Sequence, residues 1–243
     1  MGFWILGERS FTISTPAIAK FDFYGREFLR PYGTFPHPNV LAGFLVISIV
    51  ILSGRLRMTL VKVAVILAIV GILLTVSRTA IVAGLISSLV LVKNKIRILI
   101  IIGVVILLPV LFTRFSSLIN YDNLTFIRRE ELSKAALILW FKSPLFGVGL
   151  NNFIPAGSDL LLAGPSRFLQ PVHNILLLSL SETGIIGLIG LLSLIGYPIL
   201  RRKLLLIWAT IFFLGLFDHY FLTLPQGYRL LFLVWGLSLS MLE

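Results

Sequence analysis

The sequence predicts an all-α, polytopic membrane protein with about seven transmembrane helices and an amphipathic segment on the outer face. Hydrophobic residues make up 58% of the 243 and charged residues only 13%, an apolar share far above that of a soluble domain. The excess is gathered into seven runs of about 15 to 25 residues, which at 1.5 Å per residue cross or nearly cross a hydrocarbon core. These runs are continuous in Leu, Ile and Val and lack the alternation of a closed barrel. Helix is then the way lipid leaves for satisfying the backbone.

In chain order, residues 1–37 mix charges, aromatics, Pro16, Pro31 and Pro36, and read as an outer-face lead-in. No basic stretch leads into a small-residue cleavage site, so this segment is not expected to be a signal peptide. Residues 38–112 are expected to hold four transmembrane helices, over 38–54, 60–76, 78–92 and 96–112. A large periplasmic or extracellular segment, 113–173, follows. Residues 174–243 complete the chain with three further spans, over 174–198, 204–222 and 227–242.

The charge pattern orients these spans. Arg55, Arg57 and Lys62, then Lys93, Lys95 and Arg97, then Arg201, Arg202 and Lys203 fill or flank three tight loops that contain no acid. Such loops stay on the cytoplasmic side. The other face then carries His37, Ser77-Arg78, the 113–173 segment and Asp218-His219-Tyr220, so most residues capable of chemistry share one side. The net charge of +11 sits between apolar runs, not on a basic face interleaved with exposed aromatics, and nucleic acid is not an expected partner. With no cysteine and three histidines lacking ligand spacing, neither a metal site nor a cofactor is expected.

Four motifs, in this order, resemble the O-antigen ligase and O-antigen polymerase superfamily. They are Arg30-Pro31-Tyr32-Gly33-Thr34-Phe35-Pro36-His37-Pro38-Asn39, Thr75-Val76-Ser77-Arg78-Thr79-Ala80, Arg129 leading to Ser143-Pro144-Leu145-Phe146-Gly147-Val148-Gly149, and His173-Asn174 followed by Glu182-Thr183-Gly184-Ile185-Ile186-Gly187. The likeness covers nearly the whole chain but corresponds to the C-terminal part of the family pattern, whose members have more spans. A fragment, a shortened member, or a split protein whose partner supplies the N-terminal spans are all consistent with it. The resemblance implies a metal-independent, GT-C-type glycosyltransferase of the bacterial cytoplasmic (inner) membrane, multi-pass, with its active site on the periplasmic face. Its donor would be a glycan linked to undecaprenyl diphosphate, and its acceptor a hydroxyl on a glycan, lipid or protein.

Within that resemblance, His173 carries the place of the proposed catalytic base. A neutral imidazole can accept a proton from an acceptor hydroxyl near neutral pH. A helix-terminal hydrogen-bonding histidine and a phosphate-binding imidazolium are the other readings. Arg78 matches the arginine tied to diphosphate binding, since a guanidinium offers phosphate a permanent, planar charge; interfacial anchoring is its alternative. Arg129 matches the second family arginine, with Arg128 as the fallback, at the first turn of an amphipathic helix through Leu132, Ala135, Ala136, Leu139 and Trp140 that would lie on the membrane. A solvated charge run is the competing reading there. Asn174, Ser77, Glu182, Asp218 and His219 are supporting candidates, and Gly184, Gly187 and Gly190 read as a close helix-packing series.

Two other classes compete with glycosyl transfer. One is a transporter of lipid-linked glycan, which would favour inverted repeats and broken midplane helices. The other is a non-catalytic partner subunit.

Overall fold

A computed structural model of the chain describes residues 10–15, 18–23, 26–92, 97–98, 102, 124–163, 169–201 and 204–240. The expected fourth span, 96–112, lies outside the described residues apart from 97, 98 and 102. The chain divides into two compact units, Met1–Val92 and Lys93–Glu243.

The first unit opens with a hairpin that the sequence reading did not anticipate, β1 (Lys20–Phe23) paired antiparallel with β2 (Arg26–Leu29). Strands of four residues are too short for their alternation to stand out from an irregular lead-in. Phe21 stacks on Phe28 across the hairpin at 5.5 Å, and Lys20 pairs with Glu27 at 3.0 Å. Helix α1 (Pro38–Leu52) begins with proline at its first turn, where a missing N–H costs nothing, and His37 Nδ1 accepts from the Asn39 amide at 3.1 Å. Val40, Ala42, Val46 and Ile47 of α1 are buried against α2 (Thr59–Thr75) and α3 (Arg78–Leu91).

Leu60, Val63, Leu67, Val70 and Leu74 of α2 are exposed, and only Ala68, Ile72 and Thr75 of that helix are buried. A helix with so broad an uncovered apolar surface needs an apolar solvent, which a bilayer supplies. The protein is a membrane protein on this ground as well as on composition.

The second unit packs α4 (Leu124–Lys142), α5 (Phe153–Ala163), α6 (Ile175–Leu200), α7 (Leu205–Gly215), the short α8 (Tyr220–Thr223) and α9 (Pro225–Ser240). Its core joins Leu132, Ala135, Ala136 and Leu139 of α4 to Phe153, Leu161, Val172 and Leu178. The α4 residues recur at helical spacing on one face, as expected. That face, however, is covered by protein instead of lying on a membrane, because α5 and α6 close over it. The helix also starts at Leu124, which puts Arg128 and Arg129 in its second turn and not its first.

Helix α6 is interrupted. Gly184 has φ 66 and ψ −166, and the Pro144–Gly149 segment pairs with the exposed backbone around the break. The amides of Val148 and Gly149 donate to the carbonyls of Ser181 and Glu182 at 2.9 and 2.8 Å, and the amide of Ile185 donates to the Pro144 carbonyl at 2.9 Å. Polar groups freed by the break are thereby satisfied inside the protein, as a broken helix in lipid requires. A Cβ on Gly184 would strike the Leu145 carbonyl, and one on Gly147, whose φ is +67, would strike the Glu182 carbonyl. The glycine series is therefore not a uniform packing stripe: Gly184 serves the break, whereas a Cβ on Gly190 would meet open space.

Among the described residues, Pro38–Arg55 and Ile175–Leu200 are long and apolar enough to cross a membrane, and Thr59–Thr75, Arg78–Leu91 and Leu205–Gly215 are shorter apolar helices. The expected span over 204–222 is cut at Gly215, so Asp218 and His219 occupy a connecting loop outside the helix.

Candidate active site

The site in the second unit is built from the start of α6 and the loop after α7. Asn174 is extended, and its Oδ1 accepts from the amides of Leu176 at 2.9 Å and Leu177 at 3.1 Å, two donors that the helix cannot itself satisfy. Its Nδ2 donates to the Leu216 carbonyl at 3.1 Å. One side chain thus caps α6 and fastens the α7 exit loop beside it. Val172, 1% exposed, anchors the approach from the other side.

This fastening brings His173, Asp218 and His219 together. His173 Nδ1 lies 3.5 Å from Asp218 Oδ1, and the two imidazole rings are 5.1 Å apart. The same Asp218 oxygen accepts from the His219 amide at 2.9 Å. His219 Nδ1 meets Thr223 Oγ1 at 2.6 Å, one helical turn on, and His173 Nε2 meets Gln170 Oε1 at 3.2 Å. Burial holds the His219 pKa down to about 4 against the pull of the Asp218 charge, and the neighbouring His173 adds to the depression. His219 is therefore neutral at physiological pH.

Glu182 is buried, two turns along α6 from Asn174, and its Oε1 accepts from the Phe153 amide at 3.1 Å. A carboxylate at the first turn of α5 takes up orphan amides and complements the helix dipole. Its place is structural: it ties α5 to α6 beside the break.

The remaining candidates are held elsewhere. Arg128 and Arg129 are half-buried on α4, in the same unit. Ser77 and Arg78 begin α3 in the first unit, after Val76 in the left-handed region at φ 52. Ser77 is 2% exposed and its Oγ is buried without a hydrogen-bond partner. The turn that carries it is fixed by Arg30, whose Nε donates to the Thr75 carbonyl and whose Nη2 donates to Asn39 Oδ1, each at 2.6 Å. Two motifs far apart in sequence are thus joined by one guanidinium.

Gln170, Thr223 and Arg30 carry no functional expectation in the sequence, yet each contacts a candidate residue or fixes its turn. Gln170 and Thr223 carry no signal of their own, since each matters only through a histidine that folding brings near. Arg30 lay inside a motif, but nothing in its spacing pointed to Thr75.

The second unit is thus a helical body that holds a His-Asp-His cluster between the start of α6 and the loop after α7, with Arg128 and Arg129 on α4. The model of the O-antigen ligase family matches residues 63–192, and the chain belongs to that family. The matched region contains Arg78, Arg128, Arg129, His173 and Glu182, while Asp218 and His219 lie beyond it. Membership points to a ligase or polymerase of the glycosyltransferase kind acting on lipid-linked glycans. No curated protein and no solved structure matches the chain.

Proposed function

We propose that this protein transfers a glycan from undecaprenyl diphosphate to an acceptor hydroxyl, without a divalent metal, at the periplasmic face of the bacterial inner membrane. The observation that carries the reading is the placement of His173, with Nδ1 beside the Asp218 carboxylate at 3.5 Å, in a chain of the O-antigen ligase family. In the reacting state the acceptor hydroxyl takes the place of Gln170 Oε1 at Nε2, and the imidazole, with its proton on Nδ1, faces Asp218 with that N–H and keeps its lone pair on Nε2. Nε2 takes the acceptor proton as the acceptor oxygen bonds to the anomeric carbon. The bond from that carbon to the diphosphate oxygen breaks, and undecaprenyl diphosphate leaves with its electron pair. Asp218 stabilises the resulting imidazolium, which returns its proton to water. The family motifs, and not the geometry, assign Arg78 and Arg129, with Arg128 beside it, to neutralising the diphosphate as it departs.

The test is transfer in proteoliposomes, supplied with any partner spans the enzyme needs. Arg78→Lys and Arg129→Lys keep the charge but lose the planar fork, so each should weaken donor affinity and transfer together, by about tenfold or more. Unchanged donor affinity in both variants would remove the arginines from the diphosphate site. EDTA should leave transfer intact, because arginines do the work that a metal would do. Abolition by EDTA with restoration by magnesium would contradict that.

Sidedness rests on the acid-free basic loops, and the absence of native cysteine makes it simple to measure. Gly54→Cys, in an exposed turn with nothing nearby, should resist a membrane-impermeant thiol reagent in intact cells. Asp159→Cys, exposed on α5, should react. The opposite pattern would invert the orientation.

A further inference from the structure

We propose that His173, Asp218 and His219 form a binding site for a divalent transition-metal ion of the zinc class, one that blocks the protein when occupied. Each residue offers one ligand atom, and these atoms all lie within 4.8 Å of one another. Two imidazoles and a carboxylate are a donor set that first-row ions such as Zn²⁺ and Co²⁺ accept and that Mg²⁺ does not favour.

The geometry of the pairs favours a shared cation. Ligands on a tetrahedral zinc ion stand roughly 3.4 Å apart, and His173 Nδ1 stands 3.5 Å from Asp218 Oδ1. That separation is long for a hydrogen bond. His173 Nδ1 is buried and makes no hydrogen bond, although it faces a carboxylate. The third ligand atom lies within 4.8 Å of the other two.

The outer contacts are those that orient metal-binding histidines. Thr223 Oγ1 donates to the His219 carbonyl at 3.2 Å, which leaves its oxygen to accept from Nδ1–H of the same histidine at 2.6 Å. The lone pair of His219 is then on Nε2. Gln170 Oε1 can likewise accept from His173 Nε2–H at 3.2 Å, which turns the His173 lone pair toward Asp218. Each imidazole so commits one N–H to an oxygen and presents the other nitrogen as a ligand, the usual support of a metal-bound histidine.

The inhibitory consequence rests on the glycosyl-transfer reading. A metal fixes His173 in the tautomer opposite to the one catalysis uses, with Nδ1 on the ion and a proton on Nε2, so the acceptor hydroxyl meets no base.

The test is cobalt titration of the purified protein in nanodiscs, after EDTA treatment. Bound Co²⁺ should give the visible d–d absorption of a four- or five-coordinate ion at a single equivalent, displaced by Zn²⁺ and not by Mg²⁺. His219→Ala and Asp218→Asn should abolish that absorption, and Thr223→Val, which removes only the outer contact, should weaken binding by about 10 to 100-fold. Absence of the absorption in the unmodified protein overturns the site, as does its persistence in either ligand variant. Thr223→Val guards against misfolding, since it leaves all three ligands in place; unchanged affinity in that variant also counts against the proposal. Transfer by the metal-free protein is read separately: its absence would sink the glycosyl-transfer reading and leave the cobalt result standing.

Discussion

Replacing His173 with alanine is expected to remove most glycosyl transfer while leaving donor affinity nearly unchanged. General-base catalysis supplies about 10² to 10⁴ in rate, equivalent to about 3 to 5 kcal/mol of transition-state stabilisation. The alanine lacks the nitrogen that takes the acceptor proton, but it touches no diphosphate oxygen in the proposed arrangement. Binding and chemistry therefore separate, whereas Arg78→Lys and Arg129→Lys lower both. Donor affinity and single-turnover rate, measured side by side for the three variants, distinguish these roles. If His173→Ala loses donor binding as severely as the arginine variants and keeps a normal turnover per bound donor, His173 is a phosphate ligand and not the base.

Gly184→Ala is expected to cost more stability than any other glycine-to-alanine change in α6. Its φ of 66 and ψ of −166 lie in a region essentially reserved for glycine. The new methyl would also meet the Leu145 carbonyl, a backbone group that cannot step aside without breaking the Ile185–Pro144 hydrogen bond at 2.9 Å. Strain and lost pairing together should exceed about 3 kcal/mol. Gly190→Ala is the control on the same helix, since nothing lies within 4 Å of its added carbon. Alanine there should leave stability unchanged or raise it by up to about 1 kcal/mol. Thermal unfolding in detergent checks both. Equal midpoints for the two variants would mean that the break at Gly184 is not the conformation of the folded protein.

The helices of the first unit were legible because apolar run length is written directly in sequence: α1, α2 and α3 fall close to the runs at 38–54, 60–76 and 78–92. Run length fails where a helix stops inside an apolar stretch. Leu216 and Phe217 are as apolar as the helix before them, so nothing in the sequence marks the end of α7 at Gly215, and Asp218 falls in the tail of the expected span. The amphipathic face of α4 was legible too, but periodicity shows only that a face is apolar and not what covers it. For the site, the motifs marked His173, Asn174 and Glu182, yet the contacts that give them meaning cross long stretches of chain. Asn174 reaches Leu216, and Glu182 reaches Phe153. Gly184 was visible as a glycine, but its left-handed backbone follows from the Pro144–Gly149 segment that enters the helix there, a pairing that no local pattern encodes.

The central claim is that this protein breaks the bond between glycan and lipid diphosphate, and a donor labelled separately in its glycan and its lipid tests it most directly. Proteoliposomes containing the protein, any partner spans and an acceptor should lose labelled donor, gain glycan on the acceptor hydroxyl and release undecaprenyl diphosphate in equal amounts, with the His173→Ala vesicles falling to about a hundredth of that rate or less. If both labels instead cross the bilayer together on intact donor, with no undecaprenyl diphosphate released, the protein moves its substrate without reacting it and the transferase account is wrong.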